Sequence, residues 1–410
     1  MMKNWFKNIG PGPLIAAAFI GPGTVTVCTL AGVNFGFALL WAMVLSIIAT
    51  VVLQEMSARI GIVTQKGLSE IIRTEIKHPI FKILVVLLMF SAIVIGNAAY
   101  EAGNITGGVL GLETLFGTAN TQVSGVTFNW FSLVLGVLAF VLLYFGNYKV
   151  LERVLLGLVI VMSLAFLFSA ILTKPDLSLI LKSAFIPSFP DDSLLLIIAL
   201  IGTTVVPYNL FLHASLVKEK WQTTEDLKLA RKDTMISVIL GGLVSMAVII
   251  SAASIQGDTI TSATDLAKGL EPLFGRFAKY FLSVGLFAAG LTSAITAPLA
   301  AAYVASGCFG WTSNLKNSKF RAVWMLVLGL GVVLYSVGLK PIDIIKFAQV
   351  SNGILLPFIA AFLLWIVNKS SVLGRHKNAI KQNIFGFLIL LISILLSLAT
   401  LNKVFSLNLF

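Results

Sequence analysis

Two short segments place helix-breaking residues inside otherwise apolar sequence: Gly21-Pro22-Gly23-Thr24 and Val206-Pro207-Tyr208-Asn209. Proline removes an amide donor and glycine loosens the backbone, so each segment leaves N–H and C=O groups without helical partners. Beside those groups stand the hydroxyl of Thr24, the phenol of Tyr208 and the amide of Asn209. The chemistry on offer is reversible binding by backbone and neutral side chains. Cys28 and Cys308 lie in apolar surroundings in different halves of the chain and form neither a disulfide framework nor a metal-ligand spacing.

The elements that hold these segments follow from composition. At 58% hydrophobic and 11% charged residues over 410 positions, the chain is too apolar for a soluble domain. Many stretches reach the roughly 20 residues needed to span a bilayer. Eleven spans are expected, at about 13–34, 37–58, 83–107, 130–147, 152–173, 193–217, 235–256, 278–307, 322–338, 347–367 and 384–402. Both breaks therefore lie at membrane depth, in the first and sixth spans. Unpaired backbone there is tolerated only where it is buried in protein or lines a polar cavity.

The net charge of +12 is explained by topology rather than by nucleic acid. With the N-terminus inside, 21 Lys and Arg fall on the cytoplasmic side and 8 on the other. The excess puts the N-terminus in the cytoplasm and, with an odd number of spans, the C-terminus outside. Lys3 and Lys7 precede an apolar stretch with no clear cleavage pattern, which reads as an uncleaved first span in a bacterial inner membrane.

Spans one to five (about 13–173) and six to ten (about 193–367) form two sets of five, each beginning with a broken member. Five is odd, so the second set enters the membrane inverted, as in many secondary transporters. The eleventh span (about 384–402) is an appendage, and residues 1–410 make a single transmembrane domain. No Gly-Lys-Thr or Gly-Lys-Ser phosphate loop occurs, so the energy source is an ion or substrate gradient. A transporter is expected rather than an enzyme, with no cofactor and no nucleic-acid partner. The oligomeric state is not legible.

Several segments in order carry a family resemblance. Gly21-Pro22-Gly23-Thr24, Phe35-Gly36, Leu39-Leu40-Trp41 and the run from Gln54 to Gly67 resemble the opening of the natural resistance-associated macrophage protein (NRAMP) family of metal transporters. Pro207, Asn209, Leu210, Leu212 and His213 resemble that family's sixth span; Gln349-Val350 and Leu356-Pro357-Phe358 resemble its tenth. The resemblance implies an all-α LeuT-type fold, an inverted repeat of five plus five helices with an eleventh helix added, working by alternating access.

The departures bear on the cargo. The family carries Asp-Pro-Gly-Asn in span one and Met-Pro-His-Asn in span six, surrounding a divalent ion. Here Gly21 stands for the Asp, Thr24 for the Asn, Val206 for the Met and Tyr208 for the His. Transition metals favour imidazole, thiolate, thioether or carboxylate, and hard divalent ions usually take a carboxylate. A double charge at low dielectric without countercharge is costly, so no metal ligand is assigned. Without the carboxylate, the amino-terminal ends of the half-helices near 24–34 and 209–217 offer N–H donors and positive potential. A small anion, bicarbonate first, is therefore the expected substrate. Gly21, Gly23, Thr24, Thr203, Tyr208, Asn209 and Gln349 form the expected binding set. A divalent metal or a small neutral solute is the alternative cargo; a non-transporting sensor is disfavoured, because no signalling domain is appended.

Coupling to a gradient needs an ionisable or ion-binding group. Glu101 is the clearest acid inside a span and matches a family Glu near the proton route, while Ala98 stands where a second acid is usual. His213 is a second candidate for that route. Both have structural alternatives as hydrogen-bonded core residues. Glu55 and Arg59, four apart, should pair on one helix face. Hydroxyls of the small-residue run Gly285–Ala305, including Thr292, Ser293 and Thr296, read as packing and leave sodium coupling open beside protons.

Overall fold

The computed structural model describes residues 10–123, 126–145, 148–255, 276–336 and 355–405. Gln349 lies outside them.

The first span is two helices, α1 (Gly12–Phe19) and α2 (Pro22–Phe35), bent by 57° at Ile20-Gly21. Gly21 is the extended N-cap of α2 and Pro22 its first residue, where a missing N–H costs nothing. At the other end, both oxygens of Asp233 accept from the start of the span, from the amides of Gly10 (3.0 Å) and Gly12 (2.8 Å). A carboxylate there satisfies orphan donors and complements the helix dipole.

There follow α3 (Leu40–Thr64), α4 (Leu68–Glu75), α5 (Pro79–Phe90) and α6 (Gly96–Phe116), the last two joined by a π turn at Ser91–Ile95 into one long span. A two-stranded hairpin, Asn120–Val123 with Val126–Asn129, leads to α7 (Trp130–Phe145), α8 (Tyr148–Leu172) and α9 (Leu177–Phe185). The sixth span is α10 (Leu194–Thr204) and α11 (Pro207–Lys220), interrupted at Val205-Val206, again with proline as the first residue of the second half. Then come α12 (Leu227–Ala252), α13 (Arg276–Phe309), α14 (Ser318–Ser336), α15 (Leu355–Val367), the short α16 (Ser370–Leu373) and α17 (Ile380–Phe405).

Among the described residues, eight helical stretches, with α5–α6 and α10–α11 each counted as one, and two bent pairs are long and apolar enough to cross a membrane, and Trp130–Phe145 adds a shorter apolar helix. Each of the eleven expected spans has a counterpart among these, although residues 347–354 of the tenth lie outside the described residues. The α13 stretch Tyr280–Phe309 is 89% buried and the α17 stretch Ile380–Ala399 only 22%, so α13 is central and α17 peripheral. Small residues bring α13 against α6: a Cβ on Gly290 would stand 2.5 Å from the Cα of Gly108, so these backbones touch. The Ala- and Ser-rich run of α13 is packing surface, as expected. So are Gly241 and Gly242, whose added Cβ atoms would meet Phe19 and Ile47.

Candidate functional site

Breaking a helix leaves carbonyls unbonded at the end of its first half and amides unbonded at the start of its second. At the first break the carbonyls of α1 are taken up by side chains. The Tyr208 hydroxyl donates to Ala18 O at 2.7 Å, the Thr24 hydroxyl donates to Phe19 O, and the Asn209 amide donates to Ile15 O at 3.1 Å. All three side chains are buried. The Thr24 bond closes the first break within its own span, whereas those of Tyr208 and Asn209 reach across from the sixth span and join the two broken spans face to face.

The second break is served from α3. Ser46 Oγ donates to Ile201 O at 3.2 Å and bonds the hydroxyl of Thr204, while Ser57 Oγ donates to Leu210 O. Thr203 is buried beside this break, but its hydroxyl closes on Leu200 O of its own helix at 2.8 Å.

The position that lacks a carboxylate is packed. A Cβ on Gly21 would stand 2.6 Å from Ser293 Oγ and 3.6 Å from Asn104 Oδ1. The Ser293 hydroxyl is buried without a partner among the described residues. Asn104 in turn donates to Glu101 Oε2 at 3.0 Å, which places Glu101 one side chain away from the break. Glu101 Oε1 is buried with no partner among the described residues, and the side chain lies against Gly331 of α14, where an added Cβ would be 2.3 Å from Glu101 Cγ. The Tyr100 and Tyr208 rings meet edge to face, 5.7 Å apart, closing the same side.

His213 sits one turn beyond Asn209 on α11. Its Nδ1 is 2.9 Å from Gln54 Oε1 of α3, while His213 Nε2 and Asn209 Oδ1 are buried and have no partner among the described residues. Below them Glu55 accepts from Arg59 (3.0 Å) and from Arg231 of α12 (2.8 Å). Arg59 also donates to His376 O (2.8 Å) and Asn378 Oδ1 (2.6 Å). The expected Glu55–Arg59 pair is thus one part of a clasp across α3, α12 and the segment leading into α17.

The structure therefore gathers Gly21, Gly23, Thr24, Tyr208, Asn209 and Glu101 around the first break and keeps Thr203 and His213 in neighbouring shells. Sequence reasoning missed Ser46, Gln54 and Asn104, and read Ser293 as packing with sodium coordination left open, not as a neighbour of the first break. Asn104 was within reach, since it is three residues from Glu101 and shares its helix face. Among the described residues, no group of three or more His, Cys, Asp or Glu is placed to hold a metal ion.

Known proteins share this architecture. The manganese transporter of Eremococcus coleocola superposes with a TM-score of 0.81 at 20% identity, covering 99% of this chain and 89% of that one. MhsT in complex with L-phenylalanine superposes with 0.61 at 15% identity, covering 95% and 97%. Both likenesses establish the fold, a LeuT-type bundle with two broken helices. In sequence, the divalent metal cation transporter MntH of Caldanaerobacter subterraneus subsp. tengcongensis is 27% identical over 400 residues, 95% of this chain and 91% of that protein. The family model "Natural resistance-associated macrophage protein-like" matches residues 12–403. That match spans nearly the whole chain, which belongs to the Nramp family of integral membrane secondary transporters.

Proposed function

We propose that this chain carries a small oxyanion of the bicarbonate type across the membrane by alternating access about the first break. One observation carries the reading: at the open end of α1 the carbonyls of Ala18 and Phe19 are already bonded by Tyr208 and Thr24, Asn209 is held on Ile15 O, and no carboxylate stands at Gly21. What remains for a ligand are the first-turn amides of α2 at Gly23 and Thr24, the amide of Tyr208 at the start of α11, and the unspent hydroxyl of Ser293. Helix amino termini favour anions by geometry and by dipole. In this reading Glu101, with His213 beyond it, links a proton to the cycle. The amino terminus is cytoplasmic and the carboxyl terminus outside, in a bacterial inner membrane.

A second reading keeps a divalent metal as cargo. It is favoured by the name of the MntH relative and by the unpartnered oxygens Glu101 Oε1 and Asn209 Oδ1. Reconstitution into liposomes decides between them. Bicarbonate-dependent change of internal pH without Mn²⁺ entry is the expected outcome, and saturable Mn²⁺ uptake would overturn the anion reading.

A further inference from the structure

Away from the breaks, a groove of about 390 Å³ runs along the membrane face between α1, α8 and α12. Its walls include Pro13 and Ala16 of α1, Leu164 of α8 and Leu240 of α12. Leu164 and Leu240 are exposed, so the groove opens sideways towards lipid rather than into the bundle. The lining is mostly apolar, with the hydroxyl residues Ser163 and Ser237 along it and the charged side chains of Lys232 and Asp233 at one end.

We propose that this groove is a binding site for one anionic glycerophospholipid, with an acyl chain lying between the three helices and the headgroup phosphate paired with Lys232. Length supports it. From Asp233 to Val244 the groove follows α12 for ~16 Å, at 1.5 Å per residue. One leaflet of hydrocarbon is ~15 Å deep. The groove therefore spans a single leaflet from its boundary to the bilayer centre.

Charge selects the headgroup. Lys232 is exposed at the mouth, with Lys149, Arg153 and Lys228 exposed on neighbouring turns of the same two helices. The acids there keep their charge but are fewer than the cations Lys149, Arg153, Lys220, Lys228 and Lys232, and each has partners of its own. Asp233 holds the amides of Gly10 and Gly12, Asp226 accepts from Thr223, and Glu152 lies within the electrostatic reach of Lys149, Arg153 and Lys220. The cationic excess at the mouth suits a phosphate with net negative charge. The lipid would press on the outer face of α1, the helix whose carboxyl end forms the first break. Lipid binding in this groove is independent of what the carrier moves.

The test is native mass spectrometry of the full chain released from bilayers holding equal phosphatidylglycerol and phosphatidylcholine. Retained phosphatidylglycerol should exceed phosphatidylcholine by more than about tenfold, and Lys232→Ala should lower its retention about fivefold. Leu240→Trp, which fills the groove, should remove it. Equal retention of both lipids by the wild type would overturn the proposal. So would phosphatidylglycerol retention unchanged in both variants. A dimer that Leu240→Trp dissociates would assign the groove to a second copy and likewise overturn it. Should a variant fail to fold, photoactivatable phosphatidylglycerol cross-linked to the wild type locates the lipid directly. Labels within 156–167 or 229–244 support the site, and labels confined elsewhere refute it.

Discussion

The hydroxyl of Tyr208, at the head of α11, donates to the carbonyl of Ala18, at the tail of α1, across 2.7 Å. It binds the two inverted halves of the fold at the point where each has been broken. Tyr208→Phe removes the donor and leaves a buried carbonyl without it, at a cost of about 1–3 kcal/mol. The expected result is a lower unfolding temperature in detergent together with reduced bicarbonate-dependent flux. Thr24→Val should behave similarly through Phe19 O, and wild-type stability and transport in both would remove the site assignment.

Gly21→Asp restores the family's carboxylate but drives its Cβ to 2.6 Å from Ser293 Oγ. Overpacking of this kind costs about 1–3 kcal/mol unless the neighbour gives way. The single variant should be destabilised and inactive towards bicarbonate, and adding Ser293→Ala should recover the thermal stability but not the anion flux. Calorimetric titration of the double variant with Mn²⁺ would then report whether the restored carboxylate is sufficient to bind a metal.

Glu101→Gln keeps the shape of the side chain and its bond to Asn104 while removing the proton it can exchange. Transport should lose its dependence on external pH, with the fold intact by circular dichroism. Gly331→Ala places a methyl 2.3 Å from Glu101 Cγ and so should give a similar flattened profile by displacing the carboxyl. An unchanged pH profile in Glu101→Gln would take Glu101 out of the coupling route.

Glu55 is shared by a buried arginine and an exposed one: the side chain of Arg59 is 1% exposed and that of Arg231 47%. Glu55→Ala strands the buried charge and should cost about 3 kcal/mol. Arg231→Ala breaks an exposed pair and should cost less than about 1 kcal/mol. Denaturation in mild detergent should rank the two in that order, and equal losses would show that Arg59 is neutralised by other means.

Much of this was legible in the residues. Pro22 and Pro207 mark the starts of their half-helices because proline is tolerated at a first helical position and not within a turn. The Glu55–Arg59 pair follows from spacing alone. The destinations of the hydroxyls were not legible. A threonine at position 24 reads the same whether its proton faces a cavity or turns back to Phe19 O, and Tyr208 reaches a carbonyl 190 residues away through a crossing of helices that no local pattern encodes. The π turn at Ser91–Ile95 lies within an unbroken apolar run, and the Asp233 latch joins segments more than 220 residues apart, so neither leaves a mark in local periodicity.

A hydroxyl owns a single proton. Those of Tyr208 and Thr24 already rest on Ala18 O and Phe19 O, so an oxyanion that recruits either one must unseat a carbonyl to do so. Each such contact then yields only the difference between two hydrogen bonds, which keeps the affinity low; a millimolar Kd corresponds to about 4 kcal/mol. The same arrangement favours departure, because the carbonyls stand ready to reclaim their protons. A site whose donors are already bonded would trade tight capture for rapid turnover, which would suit a carrier of an abundant ion better than a scavenger of a scarce one.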